Sequence, residues 1–553
     1  MLNRPLKQYI LLIITGISIL FSCKQNPKHR ISKADSIKKK IVKEWNKTIP
    51  GSFSDQTQSV FDSTQINIFL KKYPAFAPYA KDINLFYNKR KFAYAWYEKG
   101  ILIEQAGNLV DRLNNLQNEG VYKAIPYPKS LDSLVFDAHP KTTKVKAKTN
   151  ITTELMLTAQ YFVFSKLAFQ GMSDSVTRAV NWYLPRKKVS YNDYLDSLLK
   201  KRGKPGETLS EPVYRQYDLL KNFLAKYRHL DTTDKWQPIV IEKKLKPGDS
   251  SAVIAQIKKR LYKLEDFSGD TTSNVYNDEL KDAFKQFQLR HGLTADGIAG
   301  AGTIAELNVP LKTRIRQIIV NMERCRWLPV SLNTDYLAVN IPEFKLHVYH
   351  ADSLLWSCNV VVGQKVHQTV IFYGEMQYIV FSPYWNLPES IIRNEVLPEI
   401  KRNPNYVNEH NMIITGKENG LPVIKQKPGP ANSLGLVKFL FPNSYSIYLH
   451  DTPSKSLFGE SSRAFSHGCI RVGEPAKLAS FLLKYDTTWT SSRINKAMHL
   501  GKEQQITLKH KTPVFIAYFT AFTDRNNKLN FRKDIYNRDE QLASMVLSGT
   551  GSY

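Results

Sequence analysis

Cysteine is scarce: four in 553 residues, Cys23, Cys325, Cys358 and Cys469, with no C-x-x-C pair. That usage argues against a disulfide framework and a structural zinc site, although a Cys325–Cys358 bridge stays open at this level. Acidic residues are also few, 49 against 78 Lys and Arg, for a net charge of +29. Such a balance invites a nucleic-acid reading. No recognition motif accompanies it, and part of the excess is local: residues 1–50 hold 11 Lys and Arg against Asp35 and Glu44. A lysine-rich solvated surface and attraction to an anionic polymer are the readings left. The apolar run Ile10 to Phe21 is too short to span a bilayer, which takes roughly 20 residues.

That run follows Arg4 and Lys7, the layout of an export signal. It ends Leu20-Phe21-Ser22-Cys23, which resembles a bacterial lipoprotein lipobox and implies cleavage before Cys23 and lipid attachment to it. Residues 1–22 are thus the signal peptide and 23–50, with Lys38-Lys39-Lys40, a polar tether. A hydrophobic content of 42% with 12% aromatics belongs to a folded chain, and the length predicts three or four domains.

Residues 51–240 read as a helical scaffold. Leu102, Ala106, Leu109, Leu113 and Leu116 line one helix face that Gly120 closes. Thr152–Phe169 and Pro212–Leu230 are two further helices, and the aromatics from Phe86 to Tyr97 read as core. Residues 241–310 hold a helix through Val253, Ile257 and Leu261 and another from Asp278 to Gln288, then His291-Gly292-Leu293 and Asp296-Gly297. His291 reads as structural rather than a zinc ligand. Residues 311–330 form a linking helix.

After Pro329 the period becomes alternating. Tyr336–Asn340, Phe344–Tyr349, Leu354–Val362, Met376–Ser382, Val437–Phe441, Ser446–His450 and Thr512–Phe522 read as strands, with Leu529–Ile535 completing the sheet. The class is multidomain α+β, its β-rich part (331–540) antiparallel and sandwich-like. A Pro- and Asn-rich excursion at about 386–434 is a candidate cap, and residues 541–553 a loose tail.

The chemistry concentrates in Ser466-His467-Gly468-Cys469-Ile470-Arg471, with Tyr448-Leu449-His450 upstream. A thiol needs a nearby imidazole to become a nucleophile, and Gly468 lets the backbone aim N–H groups at one point. Arg471 supplies a fixed cation for a carboxylate. A zinc site would need four ligands where this stretch has three candidates.

These residues resemble the signature of the YkuD-type L,D-transpeptidases. The 246–308 block resembles a small three-helix peptidoglycan-binding domain. Asn321-Met322-Glu323-Arg324-Cys325-Arg326-Trp327, Tyr384-Trp385-Asn386 and Pro428-Gly429-Pro430 are similar to the large YcbB-like class with a helical scaffold. The resemblance implies a peptidoglycan L,D-transpeptidase that uses no cofactor or metal. Cys469 would attack the bond joining the third residue of a donor stem peptide to the fourth, a D-alanine, with His450 as base and His467 ordering the site. Gly468, Cys469 and Tyr448 would form the oxyanion hole, and Arg471, Ser466 and Trp385 would meet substrate. It also implies donor and acceptor stem peptides as partners, possible contact with other wall-synthesis proteins, no nucleic acid, and a periplasm-facing lipoprotein anchored through Cys23. An L,D-carboxypeptidase, an enzyme attaching a protein to the wall, and a non-enzymatic wall-binding lipoprotein are the alternatives.

Overall fold

The computed structural model describes residues 59–138, 148–200, 210–329 and 332–548. The export signal, Cys23 and the tether lie outside the described residues. No helix among the described residues is long and apolar enough to cross a membrane. Cys325 and Cys358 are both free and buried, which closes the question of a bridge.

The first half is helical, as its periodicity predicts. The Asn150 side chain caps Ile151–Phe164 by accepting from the N–H groups of Thr152 and Thr153, at 2.9 and 3.3 Å. A π-helical segment, Ser165–Gln170, follows before Gly171 at φ +70. Gly120 ends the 3-10 turn Leu116–Glu119 in the left-handed region, φ +69. Leu102 is the exception on its predicted face, because it lies in the two-residue strand Ile101–Leu102.

Helices Ala252–Lys263, Asp278–Arg290 and Ala301–Leu307 form the next unit, packed through Ile257, Leu261, Phe284 and Phe287. His291 stacks on Phe287 at 4.0 Å and bonds Glu306 through Nδ1 at 2.7 Å. Burial pushes its pKa down to about 3, so it is a neutral packed ring.

The linking helix, Leu311–Trp327, is the hub, with every residue from Ile318 to Trp327 buried. Arg326, fully buried, donates to Glu323 at 2.6 Å and to the carbonyl of Ala168 at 2.9 Å. Glu323 also accepts from the N–H of Met172 at 2.6 Å and from Trp327 Nε1 at 2.9 Å. On the other side Asn321 bonds Thr520 Oγ1 at 2.8 Å, and Arg324 pairs with Asp539 at 2.6 Å. The conspicuous charged run 321–327 therefore joins the helical region to the β domain.

The β domain holds a ten-stranded sheet. Its hydrogen-bonded order is Val437–Leu440, Leu449–His450, Ile470–Val472, Ser353–Gly363, Lys345–His350, Asp335–Asn340, Gln504–Ala517, Ile371–Phe381 and Trp182–Tyr183, with Ala464–Ser466 beside Ser353–Gly363. Val437–Leu440 also pairs with Ile371–Phe381, so the sheet curls back on itself. It is mixed rather than antiparallel: Leu449–His450 runs parallel to Ile470–Val472, and Asp335–Asn340 parallel to Gln504–Ala517. Long connections, which alternation does not reveal, make parallel neighbours possible.

Two more expectations change. Ala521–Thr523 and Leu529–Phe531 form a separate hairpin instead of completing the sheet. The stretch read as a tail carries helix Arg538–Val546, which buries Leu542, Ala543 and Val546. The excursion is a small folded unit. Strands Trp385–Asn386, Leu421–Gln426 and Met412–Glu418 pair in that order over a core of Leu387, Ile391, Ile392, Val396, Met412 and Ile424.

Candidate active site

Pairing of Leu449–His450 with Ile470–Val472 brings the two halves of the motif together. Leu449 registers with Ile470 and His450 with Arg471, and the N–H of Ile470 bonds the carbonyl of Tyr448 at 3.1 Å. Leu449, Ile470 and Val472 point into the core, leaving His450 and Arg471 on the opposite face. Lys438 registers with His450 from the other side.

His450 is buried, and its Nδ1 lies 2.5 Å from the carbonyl oxygen of Asp451. Only an Nδ1–H can make that bond, so Nε2 carries the lone pair. Burial first, and the Arg471 charge second, push the imidazole pKa down to about 4. Cys469 is half-buried, its thiol facing the Ser446 carbonyl at 3.7 Å. Burial pushes that thiol above its ordinary range, against the pull of Tyr448 and Arg471. Burial thus favours the uncharged form of each side chain. The Tyr448 hydroxyl lies beside the thiol, and burial raises its pKa, keeping it a proton donor.

The motif loop is braced from within and from behind. Ser466 is 2% exposed; its hydroxyl donates to the Cys469 carbonyl at 2.5 Å and accepts the Gly468 N–H at 3.1 Å. Ser466 thus braces the loop from within, and the Gly468 N–H is bonded inside it. The Cys469 N–H has no acceptor among the described residues. Gly468 sits at φ +115, a conformation L side chains rarely adopt. Thr369, fully buried, donates to the Gly468 carbonyl at 2.8 Å and accepts the Gly363 N–H at 2.9 Å.

Arg471 is half-buried. Burial lowers its pKa, its Nε has no hydrogen-bond partner, and it forms no ion pair with any described carboxylate. His467 goes elsewhere: its Nε2 meets Glu395 of the folded excursion at 3.2 Å, and its ring lies 5.0 Å from that of His367. Trp385, half-buried, packs against the core of the excursion.

Sequence reasoning missed Thr369 and Asn443. Asn443 Oδ1 accepts the N–H groups of Tyr445 and Ile447, at 3.0 and 3.2 Å, and so shapes the turn that presents Ser446. The Pro442-Asn443 turn signal was visible; nothing local marks Thr369.

Residues 334–529 match the family model described as L,D-transpeptidase catalytic domain. Residues 81–224 match a scaffold domain, and 250–307 one described as "Putative peptidoglycan binding domain". A Haemophilus influenzae protein named "Putative L,D-transpeptidase" is 34% identical over 242 residues, 41% of this chain and 49% of that relative. The chain thus spans about half the length of the curated relative it matches. Two solved structures are similar at 14% identity. An L,D-transpeptidase from Xylanimonas cellulosilytica covers 50% of this chain and 99% of its own, with a TM-score of 0.18. One from Stackebrandtia nassauensis covers 49% and 94%, with a TM-score of 0.22. Scores this low carry no weight on the fold.

Proposed function

We propose that the chain, whose residues 334–529 match the L,D-transpeptidase catalytic domain, forms 3–3 cross-links between peptidoglycan stem peptides. The observation that carries this reading is the carbonyl-held, neutral His450 on the strand beside the Cys469 loop. Its Nε2 takes the thiol proton as Sγ bonds the carbonyl carbon of the third residue of the donor. The oxyanion draws on the Cys469 N–H and Tyr448 Oη. The carbon–nitrogen bond to the terminal D-alanine breaks, and His450 returns the proton to the leaving amine. A thioester remains. An acceptor amine attacks it, His450 takes one proton from that amine, and the proton passes to sulfur. One amide replaces another, so no energy source is needed. Arg471, with no ion pair among the described residues and no partner for its Nε, supports a role in holding a substrate carboxylate, and the 250–307 match supports wall binding. On this reading the chain works in the cell envelope, tethered through lipidated Cys23.

Intact-mass spectrometry of the full chain in detergent, with and without a carbapenem, tests the nucleophile. The expected result is one adduct, mapping to Cys469. Purified disaccharide-tetrapeptide then yields cross-linked dimer. Tripeptide as the sole product would make the chain a carboxypeptidase, and a folded, reduced protein giving no adduct would overturn the enzymatic reading.

A further inference from the structure

The helical region lends a strand to the catalytic sheet. Trp182–Tyr183 pairs in parallel with Ile371–Phe372 at its edge. Trp182 is buried against Trp327 at 5.2 Å and Phe519 at 6.0 Å, and this ring anchors the strand. Tyr183 faces the opposite way and is 39% exposed. Its hydroxyl donates to Asn181 Oδ1 at 3.0 Å, and its ring lies 5.7 Å from that of Tyr445 at an angle of 32°.

Tyr445 is 37% exposed, rests on Phe372 at 5.0 Å and has its N–H held by Asn443. Its neighbour Ser446 supplies the carbonyl that faces the Cys469 thiol at 3.7 Å. Tyr445 therefore stays partly exposed one residue from the group that touches the nucleophile, and Tyr183 packs beside it. Ring area left exposed in contact with a site marks an interaction surface, and tyrosine suits a partner that is apolar on one side and polar at its rim.

Carboxylates and amines of the stem peptide call for charged partners, which these rings are not. The sugar that bears the peptide has an apolar C–H face rimmed by hydroxyls. We propose that Tyr183 and Tyr445 form a platform for an N-acetylhexosamine ring of the glycan carrying the stem peptide, so that the scaffold region selects substrate. This inference rests on the peptidoglycan reading above.

The test compares Tyr183→Ala and Tyr183→Phe with the unmodified full chain in detergent, on disaccharide-tetrapeptide and on free tetrapeptide. Tyr183→Ala is expected to raise KM for disaccharide-tetrapeptide roughly five- to tenfold, leaving its kcat, both free-tetrapeptide constants and carbapenem acylation unchanged. Tyr183→Phe keeps the ring face and restores the low KM. An equal loss on both substrates, or none on either, overturns the platform. A second measurement is independent of turnover: calorimetric binding of each ligand to Cys469→Ala, with and without Tyr183→Ala. Selective loss of disaccharide-tetrapeptide binding supports the platform even if no cross-link forms, and equal binding by both proteins overturns it.

Discussion

His450 Nδ1 stands 2.5 Å from the main-chain carbonyl oxygen of Asp451, and the Asp451 carboxylate is turned away from it. That carboxylate accepts the Leu436 N–H at 2.9 Å and pairs with Lys455. Asp451 therefore orients the His450 ring through the backbone alone. Asp451→Asn is expected to keep carbapenem acylation within about threefold, where a carboxylate-oriented triad loses roughly 10⁴-fold on the same change. Stopped-flow acylation kinetics measure the difference.

The two histidines of the motif should separate sharply. His450→Ala removes the carbonyl-held imidazole on the strand paired with Ile470–Val472 and is expected to slow acylation by roughly 10²- to 10⁴-fold. His467 is 47% exposed and bonded to Glu395, itself 53% exposed, so His467→Ala is expected to cost less than about tenfold and under about 1 kcal/mol of stability. Equal losses in the two variants would return His467 to the chemistry.

The pH dependence follows from burial. With the imidazole near 4 and the thiol above its ordinary range, both are neutral in between. Iodoacetamide alkylation of the free enzyme should rise with pH and still be climbing at about pH 9. Carbapenem acylation should fall only as pH drops through about 4, where Nε2 gains a proton. An alkylation plateau below about pH 7 would show a preformed thiolate–imidazolium pair instead.

Thr369 acts through Gly468. Thr369→Val unpairs the Gly468 carbonyl and the Gly363 N–H together and is expected to slow Cys469 acylation roughly tenfold, each lost buried bond being worth about 1 kcal/mol. Thr369→Ser keeps both bonds and should restore the rate, which an effect of packing alone would not do.

Arg326→Met leaves Glu323 buried without its cation. The expected cost is about 3–5 kcal/mol, read as a fall in the unfolding midpoint. Below that midpoint Cys469 should still be acylated, because the hub lies apart from the motif strands.

Much of this was written locally. The thiol, its imidazole, the turn glycine and the cation sit within Tyr448–His450 and Ser466–Arg471, where spacing exposes them. Helix faces repeat every three or four residues, so the scaffold, the three-helix unit and the linking helix were legible as well. What the chain could not display was anything resting on contacts distant in sequence. The Asp451 carbonyl as the partner of His450 depends on a side-chain rotamer, and the bond from Thr369 to Gly468 on two loops meeting. The parallel pairings depend on where long connections return. The helix Arg538–Val546 is stable because Leu542, Ala543 and Val546 find a buried surface, which a short segment's own periodicity cannot promise. Tyr183 is the clearest case: a scaffold residue by sequence, it meets the Tyr445 ring of the β domain because its strand pairs with Ile371–Phe372. The residue types determined which chemistry is possible, and the tertiary contacts decided which atoms hold it in place.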